Sequence, residues 1–225
     1  NSKWKFISKE KEMLLNNVVT IEEDGHQRLW MGRMSEGIAF YDPQMDTAQT
    51  WMLNIKTPFN FGMLSSVIDR EGRLWLGCSN GLYVLQDPSS FQMFKDDLPS
   101  LLEKINTGEA GTSQVDFVTT YEQFLVFGNS LGYGFLDLKS YKQSPDAPRI
   151  FFFPTNKFGL SSEQNAVLQD ANGYLWIGQD KGAIRIDPKI HFLDSLPVSI
   201  NITSIIARGV KNDTTVVSLI DQNDI

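Results

Sequence analysis

One short pattern, Leu-Trp-x-Gly, returns along the chain and limits the folds that the sequence can adopt. It occurs at Leu29–Gly32, Leu74–Gly77 and Leu175–Gly178, while Leu125–Gly128 keeps the glycine but has valine in place of tryptophan. The closing glycines are 45, 51 and 50 residues apart. A period of about 40 to 50 residues is typical of one four-stranded propeller blade. The sequence therefore predicts an all-β fold, a β-propeller with four recognisable four-stranded blades.

Each copy predicts the same order of strands. A β-rich inner strand precedes a Gly-containing turn, the tryptophan strand follows, and a short glycine turn leads to a third strand. Three of these third strands end at Asp-Pro, where proline lacks the N–H that a ladder requires. Outer strands are predicted at 47–53, 90–95 and 149–154. The predicted repeat cores lie near 17–53, 64–95, 114–153 and 164–188.

The tryptophans are predicted to be core residues. Neighbouring blades pack sheet on sheet about 10 Å apart, and an indole can bury about 150–250 Å² there while its N–H reaches a carbonyl. Val126 takes this position in the third copy, which is the substitution expected in an apolar core. The turn before Trp30 reads as about two residues longer than the others, so an irregular first copy is predicted.

Charge and composition argue against several classes of function. The net charge is −7 and no basic stripe is present, so binding to nucleic acid is not expected. The single cysteine, Cys78, is predicted to be structural. The two histidines, His26 and His191, lie in no spacing typical of a zinc or catalytic site. We therefore predict no catalytic residues, no metal and no cofactor in this chain.

A family resemblance is carried by Gly159–Pro188, which reads GLSSEQNAVLQDANGYLWIGQDKGAIRIDP. This stretch resembles the two-component regulator propeller repeat, found in the outer sensor regions of hybrid two-component systems of Bacteroides-type bacteria, and the resemblance covers about residues 12–190. The third copy departs from it by lacking the tryptophan. The resemblance implies a periplasmic sensor of an inner-membrane protein, with a glycan-derived oligosaccharide as ligand and a homodimer in the full-length protein. Membrane contact would come through a segment outside this chain, and a kinase or DNA-binding output would follow Ile225.

The resemblance also sets the expected domains. Residues 1–193 are predicted to form propeller blades, and residues 194–225 are similar to a linker and the first strands of the β-sandwich that follows the propeller in this family. Two arrangements of the blades stay open. Lys3–Ser8 reads as an outer strand that would close a four-bladed ring, whereas the family usually builds rings of about seven blades, which favours an arc of a larger ring.

Ligand binding is predicted where loops from different blades meet. In a propeller, the loops between the second and third strands open on one face together with those leading to the next inner strand. The polar residues predicted there to bind ligand are Arg33, Glu36, Asn80, Asn129, Tyr133, Gln179, Asp180 and Lys181. A long connection, residues 95–114, is predicted to contain a short helix at Leu98–Ile105 and to serve as a lid or as padding over one face.

These observations leave two hypotheses from different classes. The first is the oligosaccharide sensor that the resemblance implies. The alternative is a non-catalytic propeller scaffold for dimerisation or protein interaction. Propeller enzymes form a third class, for which the sequence offers no catalytic constellation.

Overall fold

A computed structural model describes residues 18–33, 37–51, 62–108, 114–154, 162–179, 182–187, 205–208 and 214–217. Four antiparallel sheets follow one another along the chain, which confirms the predicted β-propeller blades. Blade 1 contains β1 (Val18–Glu23), β2 (Leu29–Arg33), β3 (Ile38–Asp42) and β4 (Thr47–Trp51). Blade 2 contains β5 (Met63–Ile68), β6 (Leu74–Cys78), β7 (Gly81–Leu85), α1 (Leu98–Leu101) and β8 (Glu103–Lys104).

The third and fourth blades repeat this order with additions. Blade 3 contains β9 (Phe117–Tyr121), β10 (Phe124–Asn129), β11 (Gly132–Asp137), α2 (Leu138–Gln143) and β12 (Ile150–Pro154). Blade 4 contains β13 (Ser162–Gln169), β14 (Leu175–Gln179), β15 (Gly182–Ile186), β16 (Ile205–Arg208) and β17 (Thr214–Val217). The predicted outer strands of blades 1 and 3 are confirmed as β4 and β12.

The outer edge of blade 2 differs from the prediction. Residues 90–95 do not form its fourth strand; Glu103–Lys104 pair with β7 instead. The helix predicted at Leu98–Ile105 ends at Leu101. The cause lies at Asp87, whose side chain caps a 3-10 helix at Pro88–Ser90 by accepting hydrogen bonds from two backbone N–H groups. This turn carries the chain across to blade 1 before it returns to pair with β7.

The fourth strand of blade 4 comes from a later part of the chain. β15 pairs with β16 at Ala183–Ile206 and Ile184–Ile205, and β17 follows as a fifth strand. Residues 205–208 and 214–217 thus extend this blade within the described structure, although 194–225 were expected to open a β-sandwich. The predicted domain boundary stays a prediction, and the proposed closing strand Lys3–Ser8 lies outside the described residues.

The first two interfaces between blades each contain the tryptophan of the earlier blade, and the third contains Val126 in that position. We call the face that a blade turns toward the next blade its forward face. Trp30 contacts Phe91 of blade 2 edge to face, with ring centroids 5.2 Å apart, and Trp75 contacts Tyr141 of blade 3 at 5.0 Å. These two indoles are 1% and 0% exposed. The core of the molecule is thus a series of layers between blades, as the repeat predicted.

The two ends of the described arc keep exposed apolar side chains on their inner strands. Leu168 pairs with Trp176 and therefore shares the forward face of blade 4, and it is 63% exposed. Ile21 pairs with Met31 on the opposite face of blade 1, and it is 57% exposed. Blade 4 therefore does not cover the inner strand of blade 1, and among the described blades the inner strands form an open arc.

Each tryptophan of the Leu-Trp-x-Gly pattern donates a hydrogen bond to an aspartate in the turn before its strand. Asp24, Asp69 and Asp170 stand six residues before the tryptophan, and the indole N–H donates to the carboxylate at 3.1, 2.7 and 2.9 Å respectively. The partner of the indole is therefore a carboxylate and not the carbonyl that was expected. The pKa of Asp24 is lowered although burial opposes this, because Arg28, backbone N–H groups and the indole donate to it.

The predicted irregularity of the first turn was wrong. All three turns have the same length, and Gln27 takes the left-handed conformation (φ 62°) that Gly72 and Gly173 take in the other copies (φ 83° and 84°). Sequence comparison missed the match because the glycine is shifted to position 25 in the first copy. The turn is preserved because the aspartate, not the glycine, fixes its hydrogen bonds.

Close packing explains why the third copy keeps the closing glycine of the pattern, Gly128, although it lacks the tryptophan. A Cβ atom on Gly128 would lie 2.2 Å from Cε1 of Phe117, its cross-strand partner. Val126, in the tryptophan position of the same strand, is fully buried. The third blade can thus exchange the indole for a smaller apolar group, whereas its glycine is required by contact.

Cys78 supplies a test of this packing. It is buried at the end of β6, and burial raises the pKa of its thiol well above the usual value. We expect no reaction with a disulfide reagent at mildly alkaline pH in the folded protein and one equivalent of reaction in guanidinium chloride. The absorbance of the released thiolate measures both. Stoichiometric reaction of the native protein would contradict the buried position.

Candidate functional site

The described members of the predicted ligand-binding set lie at the hairpin end of the blades, where the second and third strands are joined. Arg33 ends β2, Asn80 lies in the turn between β6 and β7, Asn129 ends β10, Tyr133 lies in β11 and Gln179 ends β14. Glu36, Asp180 and Lys181 lie outside the described residues. The described members thus come from equivalent hairpins, as the repeat predicted, and their role in ligand binding stays a prediction.

Tyr133 and Gln179 are brought together across the interface between blades 3 and 4. Nε2 of Gln179 donates to the hydroxyl oxygen of Tyr133 and to the carbonyl of Gly178, the latter at 2.9 Å. Both side chains are more than nine-tenths buried. Within the described parts of the chain, Oε1 of Gln179 has no hydrogen-bond partner. The pair therefore joins the two blades at the hairpin end and leaves one enclosed acceptor without a partner there.

The asparagines in the other hairpins, Asn80 and Asn129, form hydrogen bonds within their own blades. Oδ1 of Asn129 accepts from the N–H groups of Leu131 and Gly132 at 2.8 and 3.0 Å, and the residue is fully buried. Burial raises the pKa of Tyr83, and a hydrogen bond from the Asn80 side chain partly offsets this. Asn129 thus holds the β10–β11 turn closed, and the Asn80 amide holds the Tyr83 hydroxyl, in addition to any contact with a ligand.

A second site, which sequence reasoning missed, lies at the opposite end of the strands between blades 2 and 3. It is a groove of about 310 Å³ lined by Glu71, Arg73, Gln86, Tyr141, Lys142 and Pro145. Two contacts join the blades across it. Nε2 of Gln86 donates to the Tyr141 hydroxyl at 2.6 Å, and Lys142 pairs with Glu71 at 3.0 Å. The groove requires helix α2, and no pattern in the sequence predicts that this helix lies beside the turn of blade 2.

Arg73 forms the floor of this inter-blade groove. Its Nε donates to Asp69 at 2.7 Å, and its guanidinium carbon lies 5.2 Å from the centroid of the Tyr141 ring. The residue is 6% exposed. Burial raises the pKa of Tyr141, with the hydrogen bond from Gln86 acting in the opposite direction. The groove thus combines a buried cation, a neutral phenol and a paired charge at its rim.

Two absences concern the described residues. No group of three or more His, Cys, Asp and Glu side chains among them is arranged to hold a metal ion. Among the same residues, no helix has both the length and the apolar character needed to cross a membrane.

Comparison with known proteins places the fold among β-propellers. No family model and no curated protein sequence matches the chain. The extracellular domain of the hybrid two-component system BT3049 from B. thetaiotaomicron is similar over 80% of this chain, with 16% identity and a TM-score of 0.62. PorZ of Porphyromonas gingivalis, a surface component of the type-IX secretion system, is similar over 76% with 13% identity and a TM-score of 0.52.

A third similar structure is the β-propeller domain of Cps50 (Swd1) from Myceliophteria thermophila, which matches over 78% of the chain with 14% identity and a TM-score of 0.50. The chain spans 23% of the BT3049 structure, 26% of the PorZ structure and 53% of the Cps50 domain. At these identities the similarity shows the propeller fold.

Proposed function

We propose that this chain is the extracytoplasmic, periplasmic sensor portion of a hybrid two-component regulator and that it binds a glycan-derived oligosaccharide. The observation that carries the proposal is the blade signature, Asp turn followed by Leu-Trp-x-Gly, which resembles the repeat of that sensor family. The similarity of the fold to an extracellular domain of a hybrid two-component system supports the same assignment. The regulator acts as a homodimer and passes a conformational signal across the inner membrane.

The hairpin end of the blades is the sensing site in this proposal. Tyr133 and Gln179 join blades 3 and 4 there. A ligand that binds to this pair therefore favours one relative orientation of the two blades. Such a ligand can shift a two-state equilibrium by no more than its difference in affinity for the two states. A tenfold preference corresponds to about 1.4 kcal/mol.

Binding of oligosaccharides tests the proposal. We expect one or more members of a panel of dietary and host oligosaccharides to bind in calorimetric titrations. Gln179→Ala removes the amide that bonds to Tyr133, and we expect it to weaken that binding about tenfold, or ~1.4 kcal/mol. Met45→Gln is the control, because Met45 is 60% exposed in the β3–β4 turn, which lies at the other end of the strands.

The sensing proposal would be contradicted if the folded protein bound no oligosaccharide of the panel. The scaffold alternative predicts that outcome. It also predicts self-association or capture of another domain that is unaffected by Gln179→Ala.

A further inference from the structure

Two arginines occupy the same place in blades 1 and 2 but have different surroundings. Arg28 and Arg73 each follow the turn aspartate by four residues, and the Nε of each donates to that carboxylate, at 2.9 and 2.7 Å. Each guanidinium lies at the interface with the next blade: Arg28 contacts residues of blade 2, and Arg73 contacts Tyr141 of blade 3. Any difference in what the two groups bind therefore reflects the next blade and not the arginine.

At Arg28 the next blade fills the site. Nη1 donates to the carbonyl of Phe91 at 2.9 Å, and Nη2 donates to the carbonyls of Pro88 and Ser89 at 2.6 and 3.2 Å. These carbonyls belong to the 3-10 turn that crosses from blade 2. In addition to its pair with Asp24, the guanidinium of Arg28 is thus bound by neutral oxygen atoms of the chain itself.

At Arg73 the corresponding oxygen atoms are missing. Helix α2 of blade 3 brings the Tyr141 ring over the guanidinium, as Phe91 is brought to Trp30, but it offers no backbone carbonyl. Among the described residues, Nη1 and Nη2 of Arg73 make no hydrogen bond. Nη1 forms a long ion pair with Glu71 at 3.5 Å, in addition to the contact of Nε with Asp69 at 2.7 Å. Neither nitrogen is fully enclosed, so water or an acceptor of a bound ligand can reach both from outside. These donors lie at the groove of about 310 Å³.

We propose that the inter-blade groove is a binding site for a neutral sugar, whose oxygen atoms accept hydrogen bonds from Arg73 as the carbonyls of Pro88–Phe91 do at Arg28. The groove offers further donors and acceptors in Lys142 and Glu71 at its rim, and Pro145 as an apolar wall. Its volume is at the lower end of the range of ligand pockets, which is about 300–1,000 Å³. One or two sugar rings fit this description.

Charge selects a neutral ligand over an anion. Asp69 already pairs with Arg73, and Glu71 already pairs with Lys142. Glu103 adds a negative charge beside Gln86, whose amide bonds to it at 2.7 Å. The groups around the groove therefore carry no excess positive charge that would favour a carboxylate or phosphate.

The groove is separate from the hairpin-end site, and the proposal holds whether or not the chain is a sensor. A ligand of this size bound by a few hydrogen bonds is expected to have a dissociation constant on the order of 1 mM. The two sites can be told apart by variants, since Gln179→Ala acts at the hairpin end and leaves the groove unchanged.

The test is a titration of the full chain with maltose, cellobiose and lactose, and with a uronate disaccharide, followed by ligand-observed NMR. We expect at least one neutral disaccharide to bind more tightly than the uronate. Arg73→Gln should reduce its affinity about tenfold or more, and Lys142→Gln, which changes an exposed rim residue, should reduce it several-fold. Arg28→Gln is the matched control, because it removes the same group from a site that the chain itself fills, and it should lower stability without changing affinity.

Three outcomes would overturn the proposal. The first is the absence of binding by all neutral disaccharides at about ten times the expected dissociation constant. The second is tighter binding of the uronate. The third is an unchanged affinity in folded Arg73→Gln and Lys142→Gln proteins, or a loss of binding in Gln179→Ala, which would assign the sugar to the hairpin end instead.

Discussion

Replacing Asp69 by alanine is expected to lower the free energy of unfolding by about 3–5 kcal/mol. The carboxylate accepts from Nε of Arg73 and from the Trp75 indole, both at 2.7 Å, and from two backbone N–H groups of its turn. Arg73 is 6% exposed, so the substitution leaves a buried cation without its counter-charge. Urea denaturation followed by far-UV circular dichroism gives the change in free energy.

Asp170→Ala is the matched control for this substitution. Asp170 accepts from the Trp176 indole at 2.9 Å and from the N–H groups of Asn172 and Tyr174, but no described arginine donates to it. The carboxylate is also accessible to water, which can replace its hydrogen bonds. We expect a clearly smaller loss than at Asp69. Equal losses in the two variants would contradict the importance of the buried Asp69–Arg73 pair.

The blades themselves could be predicted from the sequence because their causes are local and repeated. The spacing of the glycines predicts the number of blades, and the β-rich stretch before each tryptophan strand predicts the inner strands. The Leu-Trp-x-Gly strand, the following hairpin and the outer strands β4 and β12 all appear where they were expected. Each of these features depends on residues that are near neighbours in the chain or in the same sheet.

The features that were missed depend on contacts between blades. The 3-10 turn at Pro88–Ser90 is capped locally by Asp87, but its place beside blade 1 also depends on Arg28, which donates to the carbonyl of Pro88 across 60 residues of chain. The inter-blade groove needs Tyr141 of α2 to lie over Arg73 of blade 2. A repeat that is read one copy at a time does not show which residues of the next copy will meet these arginines.

The candidate site divides in the same way. The hairpin positions were predicted from the order of strands, but the pairing of Tyr133 with Gln179 depends on how blades 3 and 4 pack. Asn129 is the reverse case, since its bonds to Leu131 and Gly132 are local and are typical of asparagine before a turn. Asn129 and Gln179 were both predicted as ligand-binding residues because they are polar and lie in hairpins. Only the structure shows that the Asn129 amide forms its own turn and that the Gln179 amide joins two blades.

The forward faces of blades 2 and 4 lead to the second large prediction. Trp75→Ala is expected to lower the free energy of unfolding by about 3–5 kcal/mol, because the indole is 0% exposed and packs against Tyr141 and the core of blade 3. Trp176→Ala is expected to cost about 1–2 kcal/mol, since this indole is half-buried and its cross-strand partner Leu168 is 63% exposed. Urea denaturation of both variants measures the difference. Equal costs would mean that the forward face of blade 4 is packed as tightly as that of blade 2, which the exposure of Leu168 contradicts.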